Sequence, residues 1–150
     1  MSVFLHVGYP KTGSSALQIA LSKNQDLLKA YGFNYPLIDD DFKQRYLGSF
    51  VSNGGQSEKI RQLCDKLNLS NESIILSSEE ISSALLHSEK IDEVERRICF
   101  LRDQVKRVSD DIKVIMYTRE PVSLYISLMQ ERVKRGTGDI VEPENFLCGY

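Results

Sequence analysis

The sequence is poor in cysteine and lacks any long apolar run. Its three cysteines, Cys64, Cys99 and Cys148, are odd in number, lie far apart and form no paired metal-ligand pattern, so we expect free thiols in a reducing compartment. No segment approaches the roughly 18 apolar residues that a membrane-spanning helix needs. Met1 and Ser2 run directly into an expected strand, without the basic and apolar regions of a secretory signal. We therefore expect a cytoplasmic protein without a membrane segment.

Acidic residues are missing from the start of the chain. No acid precedes Asp26, and the only basic residues before it are Lys11 and Lys23. From Lys113 to Arg135, five basic residues stand against two acids, while acids gather elsewhere, as at positions 39–41. The net charge is −2, so the basic residues form two local regions rather than an overall excess. This pattern favours a compact anion as ligand and argues against nucleic acid.

The composition is that of an ordinary globular protein. With 150 residues, 41% hydrophobic and 27% charged, one domain over residues 1–150 with a single core is expected. Short apolar runs alternate with segments of helical periodicity, which predicts an α/β fold. We expect a three-layer α/β/α arrangement with a central parallel sheet covered on both faces. Ligands bind at the carboxyl ends of strands in such sheets, where Lys11, Glu79 and Arg119 are expected.

Periodicity and turn residues indicate where the elements lie. Residues 37–56 combine aspartates, aromatics and two glycines, and are interpreted as a loop with at most one helical turn. The remaining elements follow helical or strand patterns. The expected strands are a first one ending near Val7, then 33–36, 73–77 and 112–118, and the expected helices are 14–31, 57–69, 91–109 and about 121–135.

The first expected strand leads into a turn that carries one lysine, reading Gly8-Tyr9-Pro10-Lys11-Thr12-Gly13-Ser14-Ser15. Backbone N–H groups at the start of a helix, together with the helix dipole, form a positive socket for an anion, and glycines allow close approach. A Walker A loop reads G-x-x-x-x-G-K-[ST], but here Ser14 stands where the lysine belongs. The alternative interpretation is an ordinary strand-to-helix turn with a solvated lysine.

The core Pro10-Lys11-Thr12-Gly13-Ser14-Ser15 resembles the 5′-phosphosulfate-binding loop of sulfotransferases that use 3′-phosphoadenosine 5′-phosphosulfate (PAPS). In that family a Pro-Lys-x-Gly-[ST]-[ST] core follows the first strand. The Leu-Gln pair at positions 17 and 18 is similar to the carbohydrate and bacterial-type branch. The family also binds the 3′-phosphate with an arginine at a strand end and a serine eight residues later, commonly with a proline two residues after the arginine. Arg119, Pro121 and Ser127 fit that spacing.

The second motif also makes physical sense without the family. A guanidinium group meets phosphate oxygens with two parallel hydrogen bonds, and Ser127 lies on the same stripe of its expected helix as Ser123. The alternative is that Ser123, Ser127, Glu131 and Lys134 form a solvated helix face.

The resemblance implies a P-loop-NTPase-like sulfotransferase fold and transfer of a sulfuryl group from PAPS to an acceptor hydroxyl or amine, releasing adenosine 3′,5′-bisphosphate. It assigns Lys11 to the bridging oxygen of the leaving phosphate, and Arg119 and Ser127 to the 3′-phosphate. The amides from Thr12 through Gly13 and Ser14 to Ser15, with one or both serine hydroxyls, would hold the 5′-phosphate. No metal is required, because the lysine and the helix terminus supply positive charge. The acceptor is expected to be a small molecule or a carbohydrate.

An acceptor hydroxyl also needs a general base. The family uses histidine or glutamate, and here Glu79 and Glu80 follow an expected strand. Glu79 is preferred because it lies nearer the strand end, where desolvation would raise its pKa. The alternative is that both glutamates form the first turn of a helix capped by Ser77 or Ser78. His6, inside the first strand, is expected to be a hydrogen-bonded core residue.

The family carries a further segment after the 3′-phosphate helix, whereas this sequence ends at Tyr150. The resemblance therefore implies the N-terminal part of the family fold, with activity at this length left open. Two other classes also stay open: a P-loop kinase-like or nucleotide-hydrolysing protein that binds Mg-ATP, and a non-catalytic binding domain. An acceptor pocket would be built from residues 37–56, 82–88 and those after 137, where no side-chain pattern identifies the acceptor.

Overall fold

A computed structural model describes residues 1–9, 11–87 and 90–135 of the chain. Within these ranges the chain is α/β, with one four-stranded sheet whose strand pairings are all parallel. The strands are β1 (Val3–His6), β2 (Phe33–Asn34), β3 (Ser73–Ser77) and β4 (Ile112–Ile115). The helices are α1 (Ser14–Lys23), α2 (Gln25–Ala30), α3 (Arg45–Asn53), α4 (Ser57–Asn68), α5 (Glu80–His87), α6 (Ile91–Lys106) and α7 (Pro121–Arg135). The expected α/β class with a parallel sheet is confirmed.

The strand order is β2-β3-β1-β4. From β1 the chain crosses past β3 to reach β2, and from β3 it crosses back past β1 to reach β4. The direction of the connections therefore reverses between β1 and β3, which pair with His6 opposite Ser77. In open parallel sheets the crevice for ligands lies at such a reversal, outside the carboxyl ends of the strands. A parallel sheet whose connections run in both directions is compatible with a three-layer α/β/α arrangement.

The core lies between the sheet and the helices that connect β2 to β4. Its fully buried side chains include Val3 and Leu76 from the sheet, Leu47 from α3 and Leu63 from α4. Helix α3 packs against α5 and α6. Gly48 permits the close approach of α3 to α5, because a Cβ atom there would overlap the Cβ of Glu80.

The interpretation of residues 37–56 as a loop is wrong. Helix α3 occupies Arg45–Asn53, and Tyr46, Leu47 and Val51 are buried in the core. The helix ends at Gly54, which adopts the left-handed conformation typical of a helix terminus. These buried positions are spaced at i, i+1 and i+5, a helical stripe that the surrounding aspartates and glycines obscured.

The single helix expected over residues 14–31 is also wrong, since it divides into α1 and α2 at Asn24. The Asn24 side-chain amide donates to the Ala20 carbonyl at 2.7 Å, which competes with continuation of the helix. The buried side chains of α1 are polar, namely Ser14 and Gln18. Leu27 of α2, one of the apolar residues on which the single helix was predicted, is exposed. The apolar spacing therefore did not identify the buried face of this segment.

Strand β4 departs from the expectation of a sheet covered on both faces. Its residues Lys113, Val114 and Ile115 are exposed among the described parts of the chain. The strand ends at Ile115 rather than Thr118, and α6 ends at Lys106 rather than Ser109. Over the described ranges, no helix has both the length and the apolar character to cross a bilayer.

The packing predicts a large difference between two leucines. Leu76 in β3 is 0% exposed and Leu69 after α4 is 87% exposed. Leu76→Ala is expected to lower the free energy of unfolding by about 2–5 kcal/mol, because it removes buried apolar surface and leaves a cavity. Leu69→Ala, the matched control, should change it by less than about 0.5 kcal/mol. Urea denaturation of both variants measures this, and equal effects would contradict the assigned core.

Candidate functional site

The loop from β1 to α1 forms a turn held by its own hydrogen bonds. The Thr12 hydroxyl donates to the Tyr9 carbonyl at 2.6 Å, and Lys11 has a positive φ of 67°. Pro10, part of the predicted motif, lies outside the described residues. Gly13 precedes α1 with φ 89°, and its carbonyl accepts the Ala16 amide at 3.0 Å. The amides before Ala16 therefore precede the first intrahelical acceptor and point out of the helix.

Both glycines of the loop have a steric reason to be glycine. A Cβ at Gly8 would lie 2.9 Å from His6 Cε1 and 3.0 Å from Ser14 Cβ, so the loop passes directly over His6. Gly13 has open space around it, but its φ lies in the region that favours glycine. No side chain within the described ranges caps α1, so the amides at this helix end are not occupied by a side-chain acceptor.

A network of buried polar groups lies beneath the loop and is centred on Ser77 at the end of β3. The Ser77 amide donates to Gln44 Oε1 at 2.9 Å, and its carbonyl accepts from Gln18 Nε2 at 3.0 Å. The Ser77 hydroxyl is hydrogen-bonded to His6 Nδ1 at 2.7 Å. These four residues are buried, and together they tie β1, β3 and α1 to one another.

The loop is also held from α5. The Ser82 hydroxyl donates to the Gly8 carbonyl at 2.6 Å. Ser82 and His6 are each 2% exposed, and the expectation that His6 is a hydrogen-bonded core residue is confirmed. Burial lowers the pKa of His6, while the nearby Glu79 raises it in part. His6 is therefore a neutral support for the loop at physiological pH.

Two groups of the loop have carboxylate partners. The Lys11 ammonium forms an ion pair with Glu131 of α7, and the Ser14 hydroxyl donates to the carboxylate of Glu79. Ser14 is buried, whereas Ser15 is only half-buried. The two serines of the motif therefore differ, since the Ser14 side chain faces inward to the end of β3.

Arg119 follows β4 and reaches the loop. Its Nη1 donates to the Lys11 carbonyl at 3.0 Å, across 108 residues of sequence. The next residue, Glu120, accepts the amides of Val122 at 2.9 Å and Ser123 at 2.8 Å. These bonds lower the pKa of Glu120 and occupy the amides at the start of α7. The N-terminus of α7 thus has an acidic cap, in contrast to that of α1.

Glu79 and Glu80 lie in different surroundings. Glu79 contacts Ser14 of the loop, whereas Glu80 faces a cavity of about 390 Å³ whose lining includes Asp39, Arg45 and Tyr46. Burial raises the pKa of the Glu80 carboxyl, and Arg45 lowers it in part. Helix α5 begins at Glu80, as the alternative interpretation of this stretch expected.

The serines expected to cap α5 have other surroundings. The Ser77 hydroxyl is hydrogen-bonded to His6 Nδ1 and accepts a hydrogen bond from Gln18 Nε2. Among the described residues, Ser78 Oγ is buried without a hydrogen-bond partner. The capping interpretation is therefore wrong for both serines.

The structure brings most of the predicted residues to one edge of the sheet. Lys11, Arg119, Ser14 and Glu79 are linked by the contacts above, and Ser127 is half-buried one helical turn before Glu131, which contacts Lys11. Glu80 faces elsewhere, and the acceptor segment expected after 137 lies outside the described residues. In the described part of the chain, no cluster of three or more His, Cys, Asp or Glu side chains is arranged to hold a metal ion.

Sequence reasoning missed Glu131, whose ion pair with Lys11 joins α7 to the loop. Its spacing of four residues from Ser127 gave a partial indication, because residues i and i+4 share a helix face. Nothing in the sequence indicated that Glu131 would contact Lys11 across the fold.

Comparison of the chain with protein-family models, with curated proteins and with solved structures found no match.

The lowered pKa of His6 predicts how stability depends on pH. The unfolded chain protonates His6 below about pH 6.5, but the folded protein does so only at lower pH. The unfolded state therefore binds more protons just below that pH, so the free energy of unfolding should rise as pH increases through this window and then level off.

Denaturation at about pH 5 and about pH 8 should show a smaller rise in His6→Asn than in the natural protein, because the substitution removes this titration. An NMR titration assigned with the same variant measures the pKa directly. A His6 pKa at or above the ordinary value would contradict the burial argument.

Proposed function

We propose that this chain is a PAPS-dependent sulfotransferase with a P-loop-NTPase-like three-layer fold. The observation that supports it most is the hydrogen bond from Arg119 to the Lys11 carbonyl at 3.0 Å, which brings the two motifs together. The loop and the arginine follow the neighbouring strands β1 and β4. Two cationic groups at the carboxyl end of a parallel sheet suit a ligand with two phosphates.

The residues present fit such a ligand. The glycine loop leaves room for an anion close to the backbone, since no side chain projects from Gly8 or Gly13. The outward amides at the start of α1 and the Lys11 ammonium would hold the 5′-phosphate. Ser15 is the better hydroxyl donor for this role, because the Ser14 hydroxyl already donates to Glu79. Arg119 and Ser127 would hold the 3′-phosphate.

PAPS, when bound, supplies the sulfuryl group that passes to an acceptor hydroxyl or amine and leaves adenosine 3′,5′-bisphosphate. The contribution of the protein is positioning and charge stabilisation. Lys11 would offset negative charge on the phosphate it contacts, and the helix terminus would add its dipole. Glu79 is the proposed general base for the acceptor, because its carboxylate lies beside the loop.

The acceptor is proposed to be a small molecule or a carbohydrate. The cavity beside Glu80 is lined largely by polar and charged side chains from residues 39–59, which overlap the segment expected to contribute to the acceptor pocket. Polar linings of this kind offer hydrogen bonds to hydroxyl groups. Glu80 is the second candidate for the base, acting from that cavity.

A second candidate function is binding of a Mg²⁺-nucleotide, as in a P-loop kinase-like protein. The contact between the Ser14 hydroxyl and the Glu79 carboxylate favours it, since hydroxyl and carboxylate oxygens beside a phosphate loop suit Mg²⁺. The displaced lysine argues against it. The two candidates differ in their requirement for metal: the sulfotransferase would bind its nucleotide without Mg²⁺, whereas a kinase-like protein would need it.

Adenosine 3′,5′-bisphosphate is expected to bind without metal, with a dissociation constant on the order of micromolar. Arg119→Ala should weaken this binding about 10- to 100-fold, because it removes charge-assisted hydrogen bonds to the ligand. Arg96→Ala, at an exposed position of α6, is the matched control and should have no effect. Calorimetric titration measures all three proteins. A preference for ATP that appears only with Mg²⁺ would overturn the sulfotransferase proposal in favour of the second candidate.

The two glutamates are distinguished by separate variants. Glu79→Gln is expected to slow transfer of labelled sulfate from PAPS about 100-fold or more, because a positioned base contributes that much. Glu80→Gln should have a smaller effect. If neither variant slows transfer while both bind adenosine 3′,5′-bisphosphate normally, the assignment of a glutamate base is wrong.

A further inference from the structure

The proposed anion site contains an acidic residue that no expected role uses. Glu131 of α7 pairs with the Lys11 ammonium, and the two side chains are 27% and 30% exposed. Lys11 is the one lysine of the loop, so this carboxylate occupies the cation on which a ligand phosphate depends. The pair is partly shielded from water, which makes it stronger than a fully exposed ion pair.

The position of Glu131 on its helix links it to the rest of the site. It lies four residues after Ser127, on the same face of α7. Helix α7 begins two residues after Arg119, whose Nη1 donates to the Lys11 carbonyl. Lys11 is thus contacted from this one segment at two points, by Arg119 at its carbonyl and by Glu131 at its ammonium.

A carboxylate and a phosphate compete for the same ammonium group. A phosphate ester dianion carries more negative charge than a carboxylate and has an additional acceptor oxygen, so it can displace Glu131. Only molecules in which Lys11 is unpaired can bind the phosphate. The apparent dissociation constant is therefore the intrinsic one divided by the unpaired fraction, so pairing with Glu131 weakens binding.

We propose that Glu131 is an internal competitor of the ligand: it holds Lys11 when no anion is bound and raises the dissociation constant of any ligand whose phosphate contacts Lys11. The proposal rests on the proposed function in one respect, that Lys11 contacts the ligand. Glu131 is then a positioning residue, which keeps the Lys11 side chain beside α7 until a phosphate replaces it.

The test is a set of titrations with adenosine 3′,5′-bisphosphate without metal. Glu131→Gln should tighten binding about two- to fivefold, the range expected for loss of a partly exposed ion pair. Glu95→Gln, at an exposed position of α6, removes the same charge away from the site and should leave binding unchanged. In a Lys11→Gln background, Glu131→Gln should no longer tighten binding, because the competition acts through Lys11.

The outcomes separate the two proposals. If Lys11→Gln weakens binding but Glu131→Gln does not tighten it, or tightens it equally in both backgrounds, the competitor role is overturned and the anion site stands. If Lys11→Gln binds as tightly as the natural protein, or the natural protein does not bind, the proposed function itself fails. Thermal melting confirms that each variant is folded, and Glu131→Ala provides a second substitution with the same expected direction.

Discussion

The hydrogen bonds around Ser77 are the constraint on which the site depends. Its amide, carbonyl and hydroxyl bind Gln44, Gln18 and His6 respectively, and all of these groups are buried. A buried polar group left without a partner costs about 1–3 kcal/mol, so these hydrogen bonds favour the observed arrangement of β1, β3 and α1. That arrangement points the first turn of α1 toward the crevice between the strands. The geometry of the proposed anion site thus depends on this buried network.

The two cationic side chains of the site have partners within the protein. Lys11 forms an ion pair with Glu131, and Arg119 donates a hydrogen bond to the Lys11 carbonyl. The contrast between the two helix ends is informative: Glu120 occupies the amides at the start of α7, whereas no described side chain caps α1. In the proposed function, a ligand anion would therefore bind at α1, where it would accept hydrogen bonds from the amides and replace the carboxylate of Glu131 at Lys11. Under this proposal, the ligand would replace an existing carboxylate partner of Lys11 rather than bind to an unpaired ammonium group.

The sequence predicted an element well where its buried residues form a continuous apolar run. The compact apolar run of β3 was placed at its observed bounds, 73–77, because a buried strand leaves a short β-branched pattern. It failed where burial was polar or interrupted. The buried face of α1 carries Gln18, which no hydrophobic pattern reveals, and α3 was hidden by its glycine and neighbouring aspartates. Likewise, the juxtaposition of Lys11 and Arg119 followed from their expected positions at the carboxyl ends of parallel strands, but the contact with Glu131 depends on packing between α7 and the loop.

A crystal structure with adenosine 3′,5′-bisphosphate tests the central claim most directly, that one doubly phosphorylated ligand joins the loop to Arg119. The account predicts the 5′-phosphate oxygens within about 3 Å of Lys11 Nζ and the first amides of α1, with the 3′-phosphate against the Arg119 guanidinium. Lys11 should then have left Glu131. A ligand bound with its phosphates away from both cations, on another face of the molecule, would contradict the account.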